Sequence, residues 1–292
     1  MSLKTRLNVP GSALHAPGAF DALSALLIEQ AGFEAAYLSG ASIAYTQLGR
    51  PDLGLVSFDQ VADVVARICE RIQIPLIVDA DTGFGNALNV ARTVKVFERN
   101  GARAIQLEDQ TFPKRCGHLS GKGVASTEEM VGKVRAALDA RRSEETLIIA
   151  RTDAIAVEGF EPALARGVAY AEAGADVVFV EAPRSLDEMK RIVAALGDTP
   201  AMANMVEGGH TPILSRDALG DLGFRLVISP GALVRALIPA AESFLKALKA
   251  EGSTVSYRDR MTDLGGVNDR IGLEAMLALG DRYEPERQEA AE

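Results

Sequence analysis

The segment RNGARAIQLED, residues 99–109, stops an amphipathic stretch at a glycine and runs straight into an apolar strand closed by acidic residues. The same plan recurs in QAGFEAAYLSG (30–40), EAGADVVFVEA (172–182) and DLGFRLVISPG (221–231). Glycine is the expected residue where a helix ends in the left-handed conformation. Seven residues past Gly32, Gly101, Gly174 and Gly223 stand Ser39, Glu108, Glu181 and Pro230. Three of these four are polar, as befits positions gathered on one rim of a closed sheet.

Working outward from this repeat, eight short β-branched runs read as strands: Leu14–Pro17, Ala35–Gly40, Pro75–Gly83, Ala102–Asp109, Thr146–Asp153, Asp176–Ala182, Pro200–Val206 and Arg225–Pro230. Helical periodicity fills the gaps near 19–31, 58–71, 87–100, 126–141, 161–173, 186–196, 215–222 and 232–250. Strand–helix alternation at this spacing predicts βαβ units and a parallel sheet, and eight of each predict a TIM-type (β/α)8 barrel of the α/β class. Segments 254–263 and 267–280 read as two extra helices joined by LGGVN. The expected organisation is a catalytic barrel over 1–252, a C-terminal helical extension of the same domain over 253–283, and an acidic tail over 284–292.

The composition fits a globular chain of 292 residues, 48% apolar and 24% charged. A net charge of −9 speaks against a nucleic-acid surface, which needs clustered Lys and Arg. It leaves an anionic small-molecule substrate open. Cys69 and Cys116 are far apart and form no C-x-x-C pair, so neither a disulfide framework nor a structural zinc site is expected. The start lacks the apolar core of a signal peptide, and no apolar run approaches the ~18 residues of a membrane span. The expectation is a soluble, cytoplasmic protein with no membrane partner.

Active sites of this fold lie at the carboxyl ends of the strands. Side chains two apart on a strand share a face, so Tyr37 and Ser39, Asp79 and Asp81, and Arg151 and Asp153 are expected to pair off. Glu108 and Glu181 each end a strand. Several carboxylates facing one site repel unless something positive lies among them, and Mg²⁺ takes oxygen ligands of this kind. For any one such carboxylate, a helix cap or structural ion pair is the competing reading. The glycines of DADTGFGN (79–86) have neither dinucleotide nor P-loop spacing. They are expected to turn the backbone behind the two aspartates.

FPKRCGHLSGKG (112–123) places Cys116 among Lys114, Arg115, His118 and Lys122, on a loop loosened by Gly117, Gly121 and Gly123. A thiol flanked by cations exchanges a proton near neutral pH, and a Cys–His nucleophile pair is the rival reading. Cys69, on the apolar face of a helix, reads as structural. NMVEGGHTP (204–212) offers Asn204, Glu207 and Thr211 to a carboxylate. His210 is as well explained as a solvated loop residue, and His15 as structural. Arg235 could hold a substrate carboxylate or make a surface ion pair.

The strings YLSGAS, PDLG, DADTGFGN, QLEDQ, PKRCGHLSGK, ARTDA, VEAP and NMVEGG together resemble the isocitrate lyase and phosphoenolpyruvate mutase superfamily over roughly residues 10–283. The resemblance implies Mg²⁺, or Mn²⁺ in its place, on Asp79, Asp81, Glu108 and Asp52. It implies a pyruvate-like carboxylate on Tyr37, Ser39, Gly40 and Ala41, and Cys116 as general acid on a gating loop with Lys114, Gly117 and His118. Arg151, Glu181 and Asn204 would line the pocket, with Glu207 and Arg235 at its far side. A homotetramer exchanging the C-terminal helices is also implied.

K-R-C-G-H points to the carbon–carbon lyase side. HLSGK and the paired glycines of NMVEGG look closer to 2,3-dimethylmalate lyases and to carboxyvinyl-carboxyphosphonate mutases than to methylisocitrate lyases. A smaller dicarboxylate needs fewer cationic contacts, so a dimethylmalate-type substrate is expected first and methylisocitrate next. Carboxyvinyl-carboxyphosphonate phosphorylmutase chemistry, oxaloacetate hydrolysis or decarboxylation, and a non-catalytic scaffold remain as alternatives.

Overall fold

A computed structural model describes residues 1–115 and 121–283. The chain divides into two compact units, Met1–Arg235 and Ala236–Glu292. In the first, the order is α1 (Leu3–Leu7), β1 (Leu14–Ala19), α2 (Ala22–Gln30), β2 (Ala36–Leu38), α3 (Gly40–Ile43), α4 (Phe58–Arg71), β3 (Leu76–Asp79), α5 (Ala87–Arg99), β4 (Ala104–Glu108), α6 (Thr127–Ala140), β5 (Leu147–Thr152), α7 (Phe160–Glu172), β6 (Val177–Val180), α8 (Leu186–Leu196), β7 (Ala201–Asn204), α9 (Arg216–Asp221) and β8 (Leu226–Ser229). A π-helical turn, Ala44–Leu48, prolongs α3, and a 3₁₀ turn, Ala154–Ala156, follows β5. The helix α10 (Ala232–Glu251) runs out of this unit into the second.

All eight strands pair in parallel and β1 closes on β8, with Leu14 opposite Leu226 and Pro17 opposite Ser229. The (β/α)8 expectation holds. The apolar residues sort into two layers, as alternation along buried parallel strands requires. One fills the barrel interior, with Leu14, Ile77, Ala104, Ile149, Phe179 and Leu226. The other lies between strands and helices, where Val61, Val65 and Ile68 of α4 meet Val78 and Ile105.

Helix starts are written locally. Asp21, Ser57, Asn86, Ser126, Ser185 and Ser215 each accept a backbone N–H of the first turn, a cap worth about 1 kcal/mol. The four repeat glycines all have φ between 84° and 106°. A residue with a Cβ would be strained there.

Two expectations need correction. The third strand stops at Asp79, not Gly83, because Asp81 turns left-handed at φ 48°. The extension is not two helices joined by LGGVN. It is a 3₁₀ turn, Val255–Arg260, then α11 (Leu264–Ile271) and α12 (Leu273–Asp281). Asp263 caps the Gly266 N–H at 2.8 Å, which places LGGVN inside α11, and Gly272 at φ 85° splits the remainder. The short helix α1 has no periodic signature at five residues, yet Leu3 and Leu7 join the barrel-interior cluster. Among the described residues no helix is long and apolar enough to cross a membrane.

Candidate active site

The carboxyl ends of the strands bring the predicted acids together. Asp79 ends β3, Glu108 ends β4, and Glu181 follows β6. Asp81 arrives by the left-handed turn rather than by strand alternation. Aspartate tolerates that conformation better than most residues. A Cβ on Gly40 would lie 3.3 Å from Asp81 Oδ1 and 3.5 Å from Asp79 Oδ2, so the glycine leaves room for both carboxylates.

Two cationic groups hold this acidic centre. Lys114 Nζ lies 2.6 Å from both Asp52 Oδ1 and Asp81 Oδ1. Arg151 donates to Asp153 at 2.8 and 3.0 Å, and lies 3.4 Å from both Glu108 Oε2 and Glu181 Oε2. Lys122 adds a third positive charge, 2.8 Å from Asp153. Among the described residues, six buried carboxylates (Asp52, Asp79, Asp81, Glu108, Asp153 and Glu181) thus share three cations with buried side chains, while Arg115 and Arg235 line the cavity from more exposed positions. Burial pushes the Asp81 carboxyl up to about 7, against the pull of Lys114 and with help from Asp79 and Asp52. Burial likewise holds Glu108 well above the usual carboxylate range, although Arg151 opposes it. Asp153 is also buried, yet Arg151 and Lys122 bring it down to about 2.

A cavity of about 90 Å³ opens among these groups, lined by Tyr37, Ser39, Ala41, Asp52, Asp79, Glu108, Lys114, Arg151, Glu181, Asn204 and Arg235. Tyr37 donates to Gln106 Oε1 at 3.0 Å, and burial with the nearby Asp79 charge holds its phenol well above 10. Ser39 Oγ accepts the Ser42 N–H at 3.2 Å, which leaves its hydroxyl proton available. Asn204 donates to Glu181 at 3.1 Å. Among the described residues no three His, Cys, Asp or Glu side chains stand as a preformed metal cage.

The family model described as phosphoenolpyruvate phosphomutase matches residues 3–249. The chain belongs to that family. It is 44% identical over 269 residues to 2,3-dimethylmalate lyase of Eubacterium barkeri, covering 92% of each chain. It is 46% identical to 2-methylisocitrate lyase of Aeropyrum pernix, covering 88% of this chain and 82% of the relative. Among solved structures, phosphonopyruvate hydrolase in complex with oxalate and Mg²⁺ superposes with a TM-score of 0.85 at 31% identity, covering 97% of this chain and 99% of that one. The protein is an enzyme of the isocitrate lyase and phosphoenolpyruvate mutase superfamily, on its carbon–carbon lyase side.

Not every expected residue of this family member reaches the cavity. Glu207 stands at the mouth, where its carboxylate pairs with Arg235 and its carbonyl accepts from the same guanidinium at 3.0 Å. Thr211 borders a separate void of about 10 Å³ beside Asn204 and Phe179. Cys116, Gly117 and His118 lie outside the described residues. Cys69 is half-buried, with its thiol pushed up to about 11 mainly by burial, in keeping with an inert side chain. His15 pairs with Ser229 Oγ at 2.9 Å.

Sequence reasoning passed over Tyr45, Val206, Ile228 and Pro230, which also line the cavity. An apolar wall looks like core in a sequence and gives no signal. It also passed over Gln106, whose signal was available: a lone amide within an apolar strand.

Proposed function

We propose that this enzyme cleaves a substituted malate of the 2,3-dimethylmalate type to pyruvate and a carboxylic acid by a retro-aldol step. The observation that carries the reading is the excess, among the described residues, of buried carboxylates over buried cations beside a small cavity with one apolar wall. Such an excess is unfavourable without a further positive charge. The donors are all oxygen, and Glu108 Oε1 is buried with no hydrogen-bond partner among the described residues. This set suits a hard divalent cation such as Mg²⁺, which needs only one or two carboxylates and keeps its waters. Asp79 and Asp81 would hold it, with Glu108 and Asp52 beside them. When bound, Mg²⁺ or Mn²⁺ supplies Lewis-acid stabilisation of the oxyanion that develops as the bond breaks.

The chain's own groups do the rest. Ser39, Gly40 and Ala41 receive the carboxylate of the pyruvate half. Arg151 faces the second carboxylate, held in place by Asp153, while Glu181 and Asn204 close the side of the pocket. A carboxylate of the cavity takes the C2 hydroxyl proton, the O–H electrons form the new carbonyl, and the C2–C3 pair passes to C3. Cys116 delivers the proton that C3 takes up. The described residues on either side of Cys116 support this reading. Lys114 is tied to Asp52 and Asp81, Lys122 to Asp153, and the Gln110 side chain brackets the Arg115 backbone with two 2.9 Å bonds. At rest, Tyr37 is a hydrogen-bonding phenol and not a base, given its raised pKa.

Val206, Ile228 and Pro230 offer a surface for methyl groups. The second reading is 2-methylisocitrate cleavage, favoured by Arg235 at the cavity edge, which could meet a third carboxylate. A panel of 2,3-dimethylmalate, other malates, 2-methylisocitrate and phosphonates, with pyruvate read through lactate dehydrogenase, separates these. Dimethylmalate should turn over fastest. Silence across all malates and tricarboxylates sinks the lyase reading.

We also infer a homotetramer that exchanges its C-terminal helices. Its support is that α11 and α12 bury no side chain, while Leu264, Met276 and Leu277 are 78%, 65% and 59% exposed. Light scattering should read four copies, and a monomer would overturn this.

A further inference from the structure

Gln106 sits mid-strand in β4, opposite Asp79 of β3. Ala104 points into the barrel interior, while Ile105 and Leu107 face the helices. By alternation Gln106 points inward, between Ala104 and Glu108. It is fully buried. An amide in such a place is unfavourable unless its polar atoms are satisfied. Leucine or methionine would fill the space without that penalty.

Both ends of the amide are engaged. Tyr37 OH donates to Gln106 Oε1 at 3.0 Å, and Gln106 Nε2 donates to Asp79 Oδ1 at 3.2 Å. The carboxylate can only accept, so the NH₂ end must face Asp79 and the carbonyl end must face Tyr37. Two consequences follow for groups that line the cavity. The Tyr37 proton is committed to Gln106, and the phenol oxygen turns its lone pairs toward the cavity. Asp79 Oδ1 receives both Gln106 Nε2 and the Asp81 N–H, the latter at 3.1 Å. Oδ2, the oxygen that lies near Gly40, is left over.

We propose that Gln106 is a positioning residue that sets the polarity of two cavity groups at once. It accepts the Tyr37 O–H, and it occupies Asp79 Oδ1 so that Oδ2 is the oxygen offered to a divalent cation. The inference rests on reading Asp79 as metal-facing. A residue that merely fills the barrel would leave metal affinity untouched when replaced by an apolar side chain of equal length.

The test is isothermal titration of the full-length protein with Mg²⁺ alone, comparing wild type, Gln106→Met and Asp79→Asn. Gln106→Met should fold, because it removes a buried amide from an apolar interior. Mg²⁺ binding should weaken about tenfold or more in it, as when an outer partner of a metal ligand is lost. In turnover, Gln106→Met and Tyr37→Phe should each lower kcat with KM little changed. The double variant should be no worse than the poorer single, since both break one chain of hydrogen bonds.

If Gln106→Met does not fold, Gln106→Asn replaces it, since its shorter side chain cannot span both partners. Loss of binding in Asp79→Asn together with a Gln106→Met affinity within about twofold of wild type, or additive losses of kcat, overturns the inference alone. Wild-type protein that binds no Mg²⁺, or undiminished binding in Asp79→Asn, overturns the metal reading and this inference with it.

Discussion

Glu108 and Asp109 are neighbours at the end of one strand and face opposite ways. Asp109 points toward the helices and is saturated. It accepts the Asp153 N–H at 2.9 Å and the Tyr170 hydroxyl at 2.7 Å, with Arg166 at 3.4 Å and anchored in turn by Glu158 at 2.8 Å. Glu108 points into the cavity. Among the described residues the cation that pairs with it, Arg151, is 3.4 Å away and better engaged with Asp153, and Glu108 Oε1 has no hydrogen-bond partner there. Both acids are buried, at 2% and 0% exposure, so burial does not separate them. Satisfaction does. A structural carboxylate completes its bonds within the fold, whereas a functional one is left short until a ligand arrives.

Replacing members of this pair should therefore hurt different properties. The largest effect belongs to the proposed chemistry: Cys116→Ser should remain folded by circular dichroism and lose about a hundredfold or more in kcat, the scale of general acid catalysis. Full activity in that variant would remove the thiol from the mechanism. Glu108→Gln should lose a comparable factor in turnover, about a hundredfold, while its Tm holds or rises because an acid whose ionised form burial disfavours is replaced by a neutral amide. Asp109→Ala should do the reverse, losing about 2–3 kcal/mol in urea unfolding as Tyr170 and Arg166 lose their acceptor. If Asp109→Ala proves the more harmful to kcat and the less harmful to stability, the comparison fails.

Acidity sharpens the contrast. The folded-state pKa of Asp81, about 7, lies above its ordinary 3.8, so the native fold prefers the protonated acid. Its contribution is present in full below 3.8 and is lost as the pH rises toward 7. In EDTA, Tm should fall between pH 5 and pH 7.5, and saturating Mg²⁺ should flatten that slope. An identical slope with and without Mg²⁺ would mean that the ion does not bind at this acid. The smallest effect is expected far from the rim. Arg191→Ala removes an ion pair with Glu161 at 2.8 Å between side chains 44% and 69% exposed, and should change stability by only about 0.5 kcal/mol.

Much of the barrel was legible because its rules are local. Val61, Val64, Val65 and Ile68 mark one face of α4 through nothing but their spacing, and Ser57 announces its start. Even the carboxylate rim was legible, since Glu108 and Glu181 sit at fixed distances from helix-ending glycines. The convergence of Asp79 and Asp81 was anticipated for the wrong reason. Alternation would have aligned them on a strand, but the strand ends at Asp79 and a left-handed turn brings Asp81 round. Thr211 and Asn204 look equivalent in sequence, yet Asn204 lines the cavity whereas Thr211 borders a smaller void that Asn204 also reaches.

The order of amino acids was therefore enough to establish eight strand–helix units, about where each begins, and that polar residues gather near the strand ends. Periodicity, capping and turn preference act over a few residues and leave their mark in the string itself. Only closure of the barrel decided that Lys114 lies between Asp52 and Asp81, that Arg151 spans three acids, and that Gln106 joins Tyr37 to Asp79. Those partners come from different strands and loops, up to 69 residues apart for Tyr37 and Gln106. Their meeting depends on strand register and on which charges find compensation, and neither is written at any single position.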